Sequence, residues 1–268
     1  MGMKNGICAI MMLKNENRII CHEDGKKPDP PYSMLEQNLR RLNSLVEEVY
    51  IVDNASTDDS DKIYDKYKDS LIKFIQYNPD DWKFDDVRDR KILLKKAKER
   101  EMKWMLVIDG DEIYEDKADE WIHNFCCNND HKGMFNVKFN YKNLWRGRTK
   151  YRVDMWSDSW FSRLFSLDKL ELIGQPLHSY HFVFKDNNTE TLGNIIESPI
   201  KCLHYGWADW DHRVAKTKRY IERDMEVTGN PYYFVKSKYL RDVDERNIIL
   251  ENAKTEWAEE FRSGKIGY

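Results

Sequence analysis

Short apolar runs alternate with segments of helical periodicity through the first part of the chain. Each run is five to seven residues long and ends in charged or turn-forming residues. Runs of this length and composition predict buried strands rather than helices. They are ICAIMML at 7–13, VYIVD at 49–53, LIKFI at 71–75 and WMLVI at 104–108.

Three helices are predicted between these strands. Ser33 is a suitable N-cap for the first, because apolar residues from Met34 onwards recur at helical spacing. The turn sequence NASTDDS leads into the second helix, whose start is predicted at Thr57 or Asp58. The third is the basic amphipathic segment VRDRKILLKKAKEREMK, at 87–103.

This alternation of strands and helices predicts an α/β fold. Strands that are apolar on both faces are typical of a parallel sheet covered by helices on both sides. In such sheets, ligands bind beyond the carboxyl ends of the strands. Asp53 and Asp109 each follow the apolar part of a strand, so both are expected at this edge.

The pattern changes after about residue 130. MFNVKFNYKNLW and SWFSRLFSL alternate apolar and polar residues, which predicts antiparallel strands. PIKCLHYGW predicts a further short strand, followed by a helix from Trp210 to about Val227. Another charged helix is predicted from Lys238 to Phe261.

Composition and charge exclude several classes of protein. Hydrophobic residues make up 41% of the 268 residues, which is enough for a substantial core. A net charge of -3 argues against nucleic-acid binding through phosphate neutralisation. No apolar run approaches the ~20 residues of a membrane span, and the start lacks the small residues of a signal-peptide cleavage site. A cytoplasmic protein without a transmembrane segment is therefore predicted.

Three carboxylates stand at the end of the fourth predicted strand, in WMLVIDGDEIY. Asp109, Asp111 and Glu112 would repel one another unless a positive charge joins them. Residues two apart in an extended segment point to the same side, so Asp109 and Asp111 can share one cation. Oxygen ligands suit Mg²⁺ or Mn²⁺, either of which would hold a diphosphate.

The order of these motifs resembles the family 2 glycosyltransferases. AIMMLKNENRII, VDNASTDDS, FDDVRDRKILLKKA and WMLVIDGDE follow one another with the family's spacing, and the resemblance covers residues 6–225. It implies a GT-A fold, with a Rossmann-like, mostly parallel sheet, a smaller mixed or antiparallel acceptor-side region and C-terminal helices. The implied domain is 1–230, divided into a nucleotide-sugar half (1–112) and an acceptor half (113–230), with a helical extension at 231–268.

The resemblance also implies the activity and the donor site. The activity is inverting transfer of a sugar from a nucleotide-sugar donor, with UDP favoured, to a glycan or other hydroxyl acceptor. Arg88 matches the arginine of the family's ARN element, although Asp89 replaces the asparagine and Arg90 is an alternative alignment. Asp53 would contact the base. The implied donor-binding residues are Lys14, Asn15, Glu16, Asp53, Arg88, Asp109 and Lys216.

Family members carry a histidine before a helix that bears lysine and tyrosine. LHYGWADWDHRVAKTKRY fits this description, so His204 resembles a third metal ligand beside Asp109 and Asp111. An imidazole is an acceptable ligand for Mn²⁺. Arg213, Lys216 and Tyr220 would lie near the diphosphate.

The general base departs from the family pattern. Inversion requires one group to deprotonate the acceptor hydroxyl, but Ser179 stands where the family has a glutamate. His178 and Asp158 are the predicted catalytic residues, with His181 and Asp154 as alternatives. The tryptophans of this half are candidates for sugar contacts: Trp145, Trp156, Trp160, Trp207 and Trp210.

Two other functions remain open at this point. LVIDGDEI is similar to the strand of haloacid-dehalogenase phosphatases, in which the first aspartate is the nucleophile. That motif has Thr or Val where Ile113 stands, and it usually lies near the start of the chain. The second alternative is a non-catalytic nucleotide-sugar-binding protein, which Ser179 favours.

Overall fold

The computed structural model describes residues 5–79, 85–153, 159–175, 179–228 and 250–252. Five α-helices and thirteen strands occur within these residues. The helices are α1 (Met34–Leu45), α2 (Ser60–Tyr67), α3 (Asp86–Glu99), α4 (Ala118–Asn128) and α5 (Trp210–Thr228). The strands are β1 (Ile7–Leu13), β2 (Glu48–Asp53), β3 (Ile72–Tyr77), β4 (Trp104–Asp109), β5 (Glu112–Tyr114), β6 (Phe135–Asn143), β7 (Lys150–Arg152), β8 (Trp160–Ser166), β9 (Leu170–Gln175), β10 (Ser179–Asp186), β11 (Thr189–Thr191), β12 (Asn194–His204) and β13 (Leu250–Asn252).

Eight of these strands form one central sheet, in the order β3-β2-β1-β4-β8-β6-β12-β5. The first four are parallel, and β8 pairs antiparallel with both β4 and β6. The predicted α/β class and the mostly parallel first half are therefore confirmed. Strands from both sides of residue 112 belong to the same sheet, so the two halves are built around one continuous element.

The core lies on both faces of this sheet because β1 is buried throughout its length. Ile7, Ala9 and Met11 pack on the face that also receives α1, α2 and α4. Cys8 and Ile10 pack on the opposite face, with α3. Each fully buried aliphatic side chain contributes about 1.5–3 kcal/mol, so this two-sided burial holds the strand in the centre of the fold.

A small antiparallel sheet, β11-β10-β9, covers part of the second face beside α3. Leu170, Leu172, Phe182 and Phe184 bring it into the same core as Ile10. The sequence predicts antiparallel strands in this half of the chain, but β9, β10 and β11 are not among the predicted strands. The helix α4 is also absent from the predictions.

The second helix begins later than predicted. It starts at Ser60 rather than at Thr57 or Asp58. The Asp58 carboxylate accepts hydrogen bonds from the Asn17 backbone N–H (2.7 Å) and the Ser60 hydroxyl (2.5 Å). It therefore ties the loop after β2 to the loop after β1 and does not initiate the helix.

The predicted helix from Lys238 to Phe261 falls almost entirely outside the described residues. At Leu250–Asn252 the prediction is wrong, because these residues form β13, which pairs antiparallel with β7. No helix in the described part of the chain is long and apolar enough to cross a lipid bilayer.

The sheet register brings the ends of three strands to one level. Leu13 at the end of β1 pairs with Asp53 at the end of β2, and Met12 pairs with Asp109 at the end of β4. The predicted meeting of Asp53 and Asp109 at the carboxyl edge of the sheet is confirmed. This edge carries the candidate site.

Candidate functional site

Two arginines hold the Asp109 carboxylate. Arg90, on α3, donates to Oδ1 at 3.0 Å, and Arg163, on β8, donates to Oδ2 at 3.2 Å. Burial alone would raise the pKa of Asp109, but the two guanidinium groups outweigh it and lower the pKa to about 2. Asp109 is therefore ionised, and both of its oxygens face a cation.

Arg163 also pairs with Glu112, the third carboxylate of the motif. Its Nη2 donates to Glu112 Oε1 at 2.6 Å, and its Nε donates to the Tyr141 hydroxyl. Glu112 Oε2 accepts the Asp109 backbone N–H at 3.0 Å. Burial raises the pKa of Glu112 to about 8 despite this arginine. Glu112 is buried and stabilises the turn between β4 and β5 through this bond to the Asp109 backbone.

Asp111 has a different set of partners. Lys216, on α5, lies 3.1 Å from Oδ2, and His204 Nε2, at the end of β12, lies 3.6 Å from Oδ1. Burial opposes ionisation of Asp111, but Lys216 and His204 hold its pKa well below the usual range. The two aspartates of the motif therefore project into separate environments, one of guanidinium groups and one of lysine and imidazole.

The hydrogen bond between His204 Nδ1 and Asn143 indicates the tautomer of the imidazole ring. Nδ1 lies 2.7 Å from Asn143 Oδ1, an oxygen that can only accept, so Nδ1 carries the proton. Burial lowers the pKa of His204, and the nearby Asp111 carboxylate opposes this effect. The other ring nitrogen, Nε2, faces the Asp111 carboxylate. A metal-ligating histidine has this same arrangement, with an outer partner on the other nitrogen.

Gly206 leaves space in the middle of this group. A Cβ at residue 206 would lie 2.4 Å from Asp111 Oδ2, 2.5 Å from Lys216 Nζ and 2.6 Å from His204 Nε2. Any other side chain would collide with all three groups. This glycine lies in the motif LHYGW, but the sequence alone predicts no role for it.

Glu16, from the loop after β1, lies on the other side of Asp111. One ligand atom each from Glu16, Asp111 and His212 lies within 4.8 Å of the other two. Arg18 Nε pairs with Glu16 Oε2 at 3.0 Å. Burial raises the pKa of Glu16 to about 7, although Arg18 lowers it. His212 is a further residue that the sequence analysis does not identify.

The loops after β1 and β2 hold each other in place. Asn15, with a positive φ of 58°, donates its backbone N–H to Ser56 Oγ at 2.9 Å. Asp53 is 2% exposed, and its oxygens accept from the Tyr64 hydroxyl (2.5 Å) and the Ser56 backbone N–H (2.7 Å). Asp53 thus organises the loop on which a nucleotide base is predicted to lie, and Lys14 begins the neighbouring loop.

The two possible arginines of α3 have different partners. Arg90 reaches Asp109, whereas Arg88 pairs with its neighbour Asp89 at 3.0 Å. Arg90 therefore contacts the carboxylate motif, and the role of Arg88 in donor binding stays a prediction. The helical spacing accounts for this result, because residues two apart lie on different faces of a helix.

The predicted catalytic residues are not among the described side chains. His178, Asp154 and Asp158 lie outside the described residues, and so does Trp156. Ser179 starts β10, and His181, on the same strand, is exposed. The tryptophans divide by exposure: Trp145 and Trp207 are buried, and Trp210 is 45% exposed.

The donor set fits a divalent cation. A buried carboxylate and an imidazole face each other across the space that Gly206 leaves, and Glu16 adds a second carboxylate nearby. The phosphatase alternative fits less well. Its nucleophile would be Asp109, whose two oxygens are both engaged by arginines.

Three solved structures illustrate the structural similarities. S. aureus TarS 1–349 aligns with 60% of this chain at 17% identity and a TM-score of 0.40, and the alignment covers 47% of TarS 1–349. Its complex with UDP has 17% identity, a TM-score of 0.35 and coverage of 60% and 46%. The 4-diphosphocytidyl-2C-methyl-D-erythritol synthase of Anaerococcus prevotii has 15% identity, a TM-score of 0.35 and coverage of 91% and 85%.

This chain thus spans about half the length of the TarS structures. TM-scores this low transfer neither a ligand nor an activity. A comparison with curated proteins gave no match.

The family comparison is more informative. The model of glycosyl transferase family 2 matches residues 31–188, which is more than half of the chain. The matched segment runs from just before α1 to just after β10 and includes Asp109, Asp111 and Arg163. Together with the parallel sheet and its carboxyl-edge site, the match confirms the expected GT-A fold. The chain belongs to glycosyl transferase family 2.

Proposed function

We propose that this protein is a metal-dependent, inverting glycosyltransferase. It would move a sugar from a nucleotide diphosphate sugar, with a UDP-sugar favoured, to a hydroxyl acceptor. Family membership supports the sugar transfer. The observation that carries the metal dependence is the position of His204 Nε2, 3.6 Å from Asp111 Oδ1 and beside Gly206.

Asp111 and His204 are the proposed principal ligands of the metal, and Asp109 is the third residue that the sequence predicts as a ligand. Asp109 is better placed to orient the motif than to coordinate, because Arg90 and Arg163 occupy its oxygens. A mixed carboxylate–imidazole set favours Mn²⁺ over Mg²⁺. When bound, the ion would stabilise the charge that develops on the leaving diphosphate.

The donor would extend from the metal towards the loops after β1 and β2. Lys216 lies 3.1 Å from Asp111 and would supply a second positive charge to the diphosphate. Lys14, Asn15 and Glu16 would line the donor, and Asp53 would hold the loop under the base. Inversion also needs a general base, and His178 and Asp158 remain the proposed residues for this role.

The isosteric substitution Asp111→Asn tests this proposal. It removes the charge that binds the metal but keeps the size of the side chain. For the wild-type protein with Mn²⁺, UDP at 100 times its dissociation constant should raise the free energy of unfolding by about 2.7 kcal/mol. We expect the variant to lose this stabilisation. Asp65→Asn, at an exposed position on α2, is the matched control and should retain it.

Unchanged UDP binding in Asp111→Asn would refute the metal assignment. Turnover then separates the remaining functions. Slow hydrolysis of a UDP-sugar that requires Mn²⁺ supports a transferase. Tight UDP binding without donor hydrolysis would indicate a non-catalytic binding protein, and hydrolysis of a generic phosphate ester would indicate a phosphatase.

A further inference from the structure

A cleft of about 350 Å³ lies at the start of α5, the helix that also carries Lys216 of the proposed donor site. Three segments line it: 20–22, 146–147 and 208–210 with Arg213. His212, which precedes Arg213 on this helix, has a ring nitrogen near Glu16 and Asp111. The cleft and the proposed donor site therefore share the first turns of α5. The volume of the cleft is at the lower end of the range of small-molecule sites, roughly 300–1,000 Å³.

Hydrogen bonds join the segments that line the cleft. Arg148, which is fully buried, donates to the Ile20 carbonyl (3.1 Å) and to Gln37 Oε1 (2.8 Å). Glu23 Oε1 accepts the backbone N–H and the hydroxyl of Thr149 at 2.7 and 2.6 Å. The Gly147 N–H donates to the Ala208 carbonyl at 3.0 Å. These bonds connect all three segments, so the cleft is formed before any ligand arrives.

The charges in the cleft are mainly positive. Arg146 and Arg213 both line it. The one carboxylate in the lining belongs to Asp209, and its Oδ1 accepts the His212 backbone N–H at 2.8 Å as a cap of α5. The positive end of the helix dipole adds to the two guanidinium groups. The described lining therefore favours an anion.

A tight turn carries Arg146 at the edge of the cleft. Arg146 has a φ of 61° in this turn, which continues into Gly147, with a φ of 125°. The turn presents Arg146 at the exposed rim of the cleft.

An aromatic surface adjoins these charges. The Arg213 guanidinium lies 4.0 Å from the centre of the Trp145 ring and 4.9 Å from that of Trp210. Stacking on two indoles fixes the orientation of the guanidinium, as cation–π contacts do. Trp210 is 45% exposed, which leaves part of its ring available. The exposed indole of Trp210 beside the fixed guanidinium of Arg213 suits a sugar ring that carries an acidic group.

We propose that this cleft binds the acceptor and that the acceptor is an anionic sugar, bearing a phosphate or a carboxylate. Its role as an acceptor site rests on the proposed function, whereas its preference for anionic sugars does not. Arg146 and Arg213 recognise the acidic group, and Trp210 contacts the sugar ring.

Calorimetric titration of the full chain, without nucleotide or metal, tests this assignment. The probes are glucose, glucose 6-phosphate and glucuronic acid. We expect at least one anionic sugar to bind about tenfold or more tightly than glucose, a difference of about 1.4 kcal/mol, because a hydrogen bond between two charged groups is stronger than one that involves a neutral hydroxyl. A preference for glucose 6-phosphate identifies phosphate as the group recognised, and a preference for glucuronic acid identifies carboxylate. The preference should decrease as the salt concentration rises.

Two variants assign the contacts. Arg146→Gln, at an exposed position, should abolish most of the preference for the anionic sugar while glucose binding stays unchanged. Trp210→Ala should weaken all three sugars by a similar factor. Lys62→Gln removes an exposed charge from α2 and should change neither property.

Equal binding of the three sugars by the wild-type protein would overturn the assignment, as would an unchanged preference in Arg146→Gln. These outcomes are independent of the proposed function, because they involve neither UDP nor Mn²⁺. Loss of the anion preference would leave the donor site intact, and failure of UDP to bind would leave the cleft as an anionic-sugar site.

Discussion

The two ends of the parallel sheet both carry carboxylates paired with arginine, but they differ in the number and burial of their charges. At the amino end, Glu48 accepts hydrogen bonds from Arg100 at 2.5 and 3.1 Å and from the Tyr50 hydroxyl at 2.6 Å. The Arg100 side chain is 51% exposed. At the carboxyl end, four carboxylates and four cations meet, and all but Asp109 are at most 16% exposed: Glu16, Asp109, Asp111, Glu112, Arg18, Arg90, Arg163 and Lys216.

This difference separates stability from function. The pair at the amino end includes a half-exposed arginine, Arg100, so it stabilises the fold modestly. Eight ionisable groups, seven of them at most 16% exposed, carry a large desolvation cost, which apolar residues of similar size would avoid. Their concentration at one edge of the sheet is therefore better explained by ligand binding than by stability.

The largest expected effect comes from removing one arginine at each end. Arg163→Met leaves Asp109 and Glu112 without their shared guanidinium inside the core, and we expect it to lower the free energy of unfolding by about 3 kcal/mol. Arg100→Met is the matched control at the amino end, where the arginine is half exposed and Glu48 keeps its hydrogen bond from the Tyr50 hydroxyl, so it should cause a clearly smaller loss. Urea unfolding measures both. Equal losses in the free energy of unfolding would mean that the buried arginine is no more important for stability than the half-exposed one.

The second effect concerns binding rather than folding. Gly206→Ala places a methyl group among Asp111, Lys216 and His204, so we expect UDP affinity in the presence of Mn²⁺ to fall by about 100-fold, or about 2.7 kcal/mol. Gly25→Ala has no neighbouring atom within 4 Å of its Cβ and should leave this affinity unchanged. Calorimetry with UDP gives both values. Wild-type affinity in Gly206→Ala would exclude this space from the site.

The smallest effect is a dependence on pH at the amino end. Burial raises the pKa of Glu48, but hydrogen bonds from Arg100 and Tyr50 outweigh it and lower the pKa below its ordinary value of 4.5. The ionised form is therefore stabilised by folding, and this contribution is present above pH 4.5 and is lost as the pH falls through the lowered pKa. Glu48→Gln should cost about 0.5–1 kcal/mol at neutral pH and less in acid. A cost that stays constant between neutral and acidic pH would contradict this account.

Local patterns in the sequence determine most of the fold. The four parallel strands, the cap at Ser33 and the helix α5 follow from periodicity and capping, because these signals act over a few residues. Asp53 and Asp109 could be assigned to one edge because parallel strands end on the same side of a sheet. The small sheet β11-β10-β9 and α4 were not predicted, since their patterns are short and their burial depends on other parts of the chain.

Tertiary structure alone decides which side chains complete the site. Arg163 lies 54 residues from Asp109, and Lys216 lies 105 residues from Asp111. These pairs meet because β8 and β6 stand between β4 and β12 in the sheet, an order that no local signal in the sequence specifies. Arg163 is recognisable in the sequence as a charged residue within the alternating pattern of β8. The sequence does not show that Asp109 and Glu112 are its partners. The sequence therefore determines that carboxylates gather at this edge, and the order of the strands decides which cations, histidine and glycine face them.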